Sequence, residues 1–322
     1  MPVVRTIQKV WPETKLSWII GKLEYQLVHD IPGIEFIQFD KKAGLRGYLD
    51  IRNKLKDLQF DVLLDMQMSL RASMISLFVN SPIKLGFDKQ RAKDMQWLFT
   101  NHKIKYKPEQ HVIDSFFGFT QALGISERSY DWQIPIPELD IQQIAAEFDP
   151  GKSYAVISPC SSMAYRNWSI EGYAAVADYL QQQYGLQVIL SGGPGAIELD
   201  YAKQITSLCK QPLINLVGKT SLKELLALLQ SAKLVIAPDS GPAHLANAVG
   251  VPVIGLYACT NPDRARPYNN ADYVANKYPE AIKDNFGKTV NEVPWGTRVR
   301  EDGTMNRISV NDVQSKIKQI MA

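Results

Sequence analysis

Short apolar runs alternate with stretches of helical length along the whole chain, and this alternation limits the fold more than any other feature. It is most regular in the second half. Residues 154–158, 187–191, 213–216, 233–237 and 253–257 read as strands, and 169–184, 196–208, 221–230 and 242–249 as helices. Continuous apolar runs of this length suit strands covered on both faces, and helices between them make the crossovers that parallel strands need. The pattern predicts βαβ units around a mainly parallel sheet. Ser169, with Glu171 two residues later, suits the start of a helix.

The first half repeats the theme. Apolar residues at 3, 4, 7, 10 and 11, with Pro2 near the start, predict a helix over 2–11. Strands are expected at 16–20, 33–39 and 61–65, and helices at 48–58 and 69–79. Ile134-Pro135-Ile136-Pro137-Glu138 reads as a linker. A loop-rich stretch from about 262 to 308 precedes a final helix at 309–321. A doubly wound domain normally opens on a strand and a glycine turn, whereas this sequence opens on a helix.

The 322 residues suffice for about two domains, and 45% hydrophobic with 21% charged residues is a globular balance. Three scattered cysteines, Cys160, Cys209 and Cys259, are too few for a disulfide framework or a zinc site. No apolar run approaches membrane-spanning length, and Met1-Pro2-Val3-Val4-Arg5 lacks a signal-peptide core, so a cytoplasmic protein is expected. The net charge of +3 is uneven: residues 84–107 hold seven Lys/Arg against two Asp. Such a patch can attract phosphates or anionic headgroups, or simply face solvent. Phe87, Trp97 and Phe99 lie within it, but no nucleic-acid-binding motif accompanies them, and no nucleic-acid partner is expected.

Two strand-to-helix corners carry chemistry. In Lys233-Leu-Val-Ile-Ala-Pro-Asp239-Ser240-Gly241-Pro242-Ala-His244 an apolar strand ends at Asp239 and a helix begins beside Pro242. Free N–H groups of Ser240, Gly241 and their neighbours, aided by the helix dipole, suit a phosphate. An ordinary helix cap is the alternative. In Ser158-Pro-Cys-Ser161-Ser162-Met-Ala-Tyr-Arg166-Asn167-Trp168 the hydroxyls of Ser161 and Ser162 and the guanidinium of Arg166 suit a diphosphate, the alternative being a solvated loop. Ser191-Gly192-Gly193-Pro194-Gly195 is a weaker third corner. Neither Gly-x-x-x-x-Gly-Lys-Ser/Thr nor Gly-x-Gly-x-x-Gly occurs.

With these segments in hand, the sequence resembles family 9 glycosyltransferases, the bacterial lipopolysaccharide heptosyltransferases. The resemblance rests on Asn215-Leu-Val-Gly218-Lys-Thr220-Ser-Leu222-Lys-Glu224, Pro238-Asp239-Ser240-Gly241-Pro242-Ala243-His244 and Gly250-Val-Pro252. It is extended by Ile157 to Ser162, Arg166-Asn167-Trp168, Gly86-Phe87-Asp88 and Pro294-Trp295-Gly296-Thr297-Arg298-Val299. It implies a GT-B fold: two Rossmann-like α/β domains facing a cleft, with a C-terminal helix returning to the N-terminal domain. The implied boundaries are 1–148 for acceptor binding, 149–305 for the nucleotide-sugar, and 306–322 for the returning helix. The implied reaction moves a heptose from ADP-heptose to the lipopolysaccharide inner core with inversion, at the cytoplasmic face of the inner membrane.

Carried over residue by residue, the donor site comprises Ser161, Ser162, Arg166, Asp239, Ser240, Gly241 and His244. The acceptor side comprises His111, to which the basic patch adds Arg91 and Lys93. No metal or other cofactor is expected, because no Asp-x-Asp cluster accompanies the donor motifs. The family's opening strand, with a Ser-x-Gly-Asp loop whose Asp is taken as the general base, has no counterpart in the sequence, and the catalytic base is left unassigned. Among Asp30, Asp65 and Asp88, Asp65 at a strand end is the best placed. A nucleotide-sugar-binding protein with impaired catalysis and another GT-B enzyme, such as an epimerase, stay open as alternatives.

Overall fold

The computed structural model describes residues 1–149 and 151–322 and divides into two compact units, Met1–Pro135 and Ile136–Ala322. The division falls inside the proline-rich linker rather than at residue 148. In the first unit α1 (Pro2–Val10) leads to β1 (Leu16–Gly21), α2 (Lys22–Val28), β2 (Ile34–Phe39), α3 (Leu45–Leu55), β3 (Val62–Leu64), α4 (Leu70–Ser76), β4 (Ile83–Gly86), β5 (His102–Lys103) and α5 (Val112–Ala122). All pairings are parallel, but the strands form two sheets, β1-β2 and β3-β4-β5. Both β1 and β3 therefore have a single strand neighbour. The side chains of Val3 and Ile7 on α1 pack with Phe117 and Ile125, and Leu16 and Leu64 border that cluster.

The second unit begins with α6 (Glu138–Ala145) and continues through β6 (Tyr154–Ile157), α7 (Ile170–Tyr184), β7 (Gln187–Leu190), α8 (Ala196–Leu208), β8 (Ile214–Asn215), α9 (Leu222–Gln230), β9 (Leu234–Pro238), α10 (Gly241–Ala248) and β10 (Val253–Tyr257). It closes with α11 (Pro262–Ala265), β11 (Val274–Asn276), α12 (Tyr278–Phe286) and α13 (Val310–Met321). Its six strands are all parallel, in the order β11-β10-β9-β6-β7-β8. The two-residue alternation of a strand sorts side chains between two cores. Ala155, Ile157, Leu234 and Ile236 join α7, α8 and α13 on one face, while Tyr154, Val156, Val235 and Ala237 join α9 and α10 on the other.

Local chemistry fixes the helix ends. Ser221 and Glu224 form a reciprocal capping box on α9, with Ser221 N donating to Glu224 at 2.6 Å and Glu224 N donating to Ser221 Oγ at 3.1 Å. Gly185, at φ +63°, ends α7 in the left-handed conformation that favours glycine. The stretch expected to be loop-rich holds α11, β11 and α12. The C-terminal helix also differs from expectation. Its apolar residues Val313 and Ile317 belong to the second unit's core, against α7 and β11, so by its packing α13 is part of the second unit.

Candidate donor site

Strand order determines where a ligand can sit. From β6 the chain runs outward through β7 to β8, then α9 carries it back so that β9 pairs with β6 on its other side. The carboxyl ends of β6 and β9 flank this switch point, the usual ligand site of an open parallel sheet. The loop after β6 carries Ser161, Ser162 and Arg166, and the turn after β9 carries Asp239, Ser240 and Gly241. The two corners noted in the sequence are thus brought together by the register Ile157↔Ile236.

Arg166 Nη1 lies 3.1 Å from the Asp239 carboxylate and also donates to the Asp239 carbonyl at 3.1 Å. His244 Nε2 lies 3.7 Å from the other carboxylate oxygen. Burial opposes ionisation of Asp239, but hydrogen bonding to His244 and the Arg166 charge outweigh it and hold its carboxyl below the usual range. Ser240 occupies the cap position of α10, yet its hydroxyl makes no cap and has no hydrogen-bond partner. A Cβ on Gly241 would meet nothing within 4 Å, so the foot of this helix faces open space.

The loop after β6 is held from behind. Trp168, 1% exposed, donates from Nε1 to the Ile308 carbonyl at 2.9 Å, and Tyr173 Oη donates to Pro159 O at 3.0 Å. Ser161 N donates to Asn167 Oδ1 at 2.8 Å, and Ser162 is exposed. The third corner is occupied by the protein itself, since Gly193 N donates to Glu198 Oε1 at 2.9 Å.

The expected acceptor residues lie in the first unit and do not share one environment. Arg91 is paired with Asp88 and donates to Gln110 at 3.1 Å and Lys105 O at 2.9 Å, so its charge is spent within the fold. His111 is buried and caps α5, its Nδ1 accepting from Ile113 N at 3.2 Å. Lys93 is exposed. Asp65, at the end of β3, is 6% exposed with one carboxylate oxygen unpartnered, and burial pushes its pKa up to about 6.

Comparison with known proteins gives the family and the fold. Residues 48–295 match "Glycosyltransferase family 9 (heptosyltransferase)". The chain belongs to glycosyltransferase family 9. It is 41% identical over 320 residues to "Lipopolysaccharide core heptosyltransferase OpsX" of Haemophilus influenzae, covering 99% of this chain and 92% of that protein. Among solved structures, a family 9 glycosyltransferase from Veillonella parvula is similar at TM-score 0.80 and 21% identity, covering 99% of this chain and 92% of that one. E. coli heptosyltransferase WaaC, solved with ADP, is similar at TM-score 0.75 and 20% identity, covering 99% and 94%. The protein is a glycosyltransferase whose two α/β units have the GT-B fold.

Arg264 and Arg298, absent from the expected site, lie beside Asp239 in a pocket lined also by Asn261 and Trp295. Arg298 falls within the Pro294 to Val299 match, whereas Arg264 carries no signal in the sequence.

Proposed function

We propose that this chain transfers a heptose from ADP-heptose to the inner core of lipopolysaccharide, inverting the anomeric carbon. The observation that carries the reading is the switch-point corner, where Asp239 is fixed between Arg166 and His244 at the open foot of α10. The name of the H. influenzae relative supports a lipopolysaccharide-core acceptor, and the ADP complex of E. coli WaaC supports an adenine nucleotide. As the glycosidic bond to the donor breaks, negative charge grows on the leaving nucleotide. A helix foot and fixed cations stabilise that charge without reorganising. Ser161 and Ser162, on the loop after β6, complete the donor side.

On the acceptor side the exposed Lys93, with Lys89, Lys103, Lys105 and Lys107, provides positive charge for a phosphorylated lipid at the cytoplasmic face of the membrane. Arg91 and His111 hold that segment in shape. No helix of the described residues is long and apolar enough to cross a membrane.

The test is calorimetric titration with ADP. Asp239→Ala should weaken binding about tenfold or more, because a charge-assisted contact contributes roughly 1.5–3 kcal/mol. Unchanged affinity in this variant would remove the corner from the donor site.

A further inference from the structure

Helix α4 presents apolar side chains on both of its sides. Ser73, Ile75 and Ser76 are buried, and Ile75 joins the core of the first unit with Ile51, Leu55 and Val79. Leu70, Met74 and Leu77 follow one another along the opposite side at helical spacing, and all three are exposed. The outward face of a surface helix is ordinarily polar.

The turn after β4 continues this surface. Asp94 Oδ2 accepts from Leu70 N at 3.2 Å, so residues 94–98 lie against the start of α4. Gln96 anchors the turn: it is fully buried, Nε2 donates to Asp65 O at 2.9 Å, and Oε1 accepts from Phe87 N at 3.2 Å. With Gln96 held inward, Met95, Trp97 and Leu98 on either side of it are exposed, Leu98 by 60%. Asp94 and Met95 both stand in the left-handed region, at φ +50° and +56°, which is costly for residues with a side chain. The fold therefore holds these apolar groups out against a local preference to relax. Six large apolar side chains on two adjoining elements mark an interaction surface.

Charge selects the occupant. Residues 84–107 hold seven Lys/Arg against two Asp, and both acids are engaged within the fold, Asp88 with Arg91 and Asp94 with Leu70 N. Lys89 and Lys93 are exposed beside the turn, and Lys89 Nζ lies 5.4 Å from the centre of the Trp97 ring. A second copy of this face would bring the same positive charge against it. Leucines and a tryptophan flanked by lysines suit the boundary between acyl chains and anionic headgroups. We infer that the outward side of α4 and the 94–98 turn dock the protein on a bilayer rich in anionic phospholipid, with Leu77, Met95, Trp97 and Leu98 entering the acyl boundary and Lys89 and Lys93 at the headgroups. The inference goes beyond the transfer reading, because it needs neither donor nor acceptor.

The experiment is flotation of the whole chain with vesicles of phosphatidylcholine alone and of equal parts phosphatidylcholine and phosphatidylglycerol, free of any acceptor. The expected result is binding to the mixed vesicles only, weakened by added salt. Leu77→Ser with Leu98→Ser should lower partitioning about tenfold or more at unchanged melting temperature, because two leucines no longer leave water. Lys89→Gln with Lys93→Gln, which leaves the apolar groups in place, should lower it several-fold and flatten the salt dependence. Brominated acyl chains should quench the tryptophan emission of wild type, and Trp97→Phe should lose most of that quenching. Failure to bind the mixed vesicles, binding that the leucine pair leaves unchanged, or quenching that Trp97→Phe retains overturns the inference. So does a dimer in sedimentation that the leucine pair dissociates, which would make the face a contact between copies. Each of these results leaves the transfer reading intact, since neither ADP nor acceptor is present.

Discussion

Asp65 and Gly241 show how single residues divide between stability and binding. The Asp65 carboxyl is buried, and its folded pKa of about 6 lies above the ordinary aspartate value of 3.8. A carboxyl whose folded pKa is raised favours the fold only while protonated. That contribution is complete below the unfolded pKa and is lost as pH rises through about 6. Asp65→Asn should therefore stabilise the protein at pH 7–8 by on the order of 2–3 kcal/mol, and the gain should vanish below about pH 4. Urea melts of both forms across that range check this. Gly241 predicts the opposite balance. Its Cβ position is open space, so Gly241→Ala should leave the melting temperature nearly unchanged while weakening ADP binding, because the methyl group occupies the volume a phosphate needs. Equal ADP affinity would show that the ligand does not approach this backbone.

Between elements, the contrast lies in how strands are neighboured. β9 sits between β10 and β6, whereas β1 and β3 each pair on one side only. Inner-strand amides of the six-stranded sheet should exchange with solvent only through large openings, and those of β1 and β3 through smaller ones. Native-state hydrogen exchange resolved by residue measures this, and equal protection would contradict it. The same contrast bears on what the sequence could disclose. The strands of the six-stranded sheet were legible because burial on both faces leaves continuous apolar runs such as Leu234–Pro238. The α9 start, read in the sequence at residue 221, is fixed in the structure by the Ser221–Glu224 capping box. Helix α2 was not, since Gly21 provides no side-chain cap and Val28 alone in it is buried. The two strand-to-helix corners that β6 and β9 bring together were readable because each is a local turn. Arg264 and Arg298 were not, because only the Thr260–Arg298 bridge brings them together. The capping role of His111 was hidden by residue type, a histidine standing where serine or aspartate is usual.

At the scale of the molecule, each unit owns its core, and all the proposed donor residues fall in the second. Residues 136–322 alone should therefore fold cooperatively and bind ADP within several-fold of the whole chain, as calorimetry on that fragment would measure. The lysine-rich segment in the first unit should govern the acceptor only. Lys93→Glu with Lys105→Glu should raise the acceptor KM at low salt, leave the donor KM unchanged, and lose its effect as salt is added. An unaffected acceptor KM at low salt would make the segment a solvated face. The most direct measurement of the central claim is heptose transfer itself. The whole chain is incubated with ADP-heptose and a lipid acceptor ending at the inner core, and the product linkage is read by nuclear magnetic resonance. The account predicts one heptose added with anomeric configuration opposite to the donor's, and an Asp239→Ala variant that adds far less. An acceptor recovered without heptose, or a product that retains the donor's configuration, would contradict it.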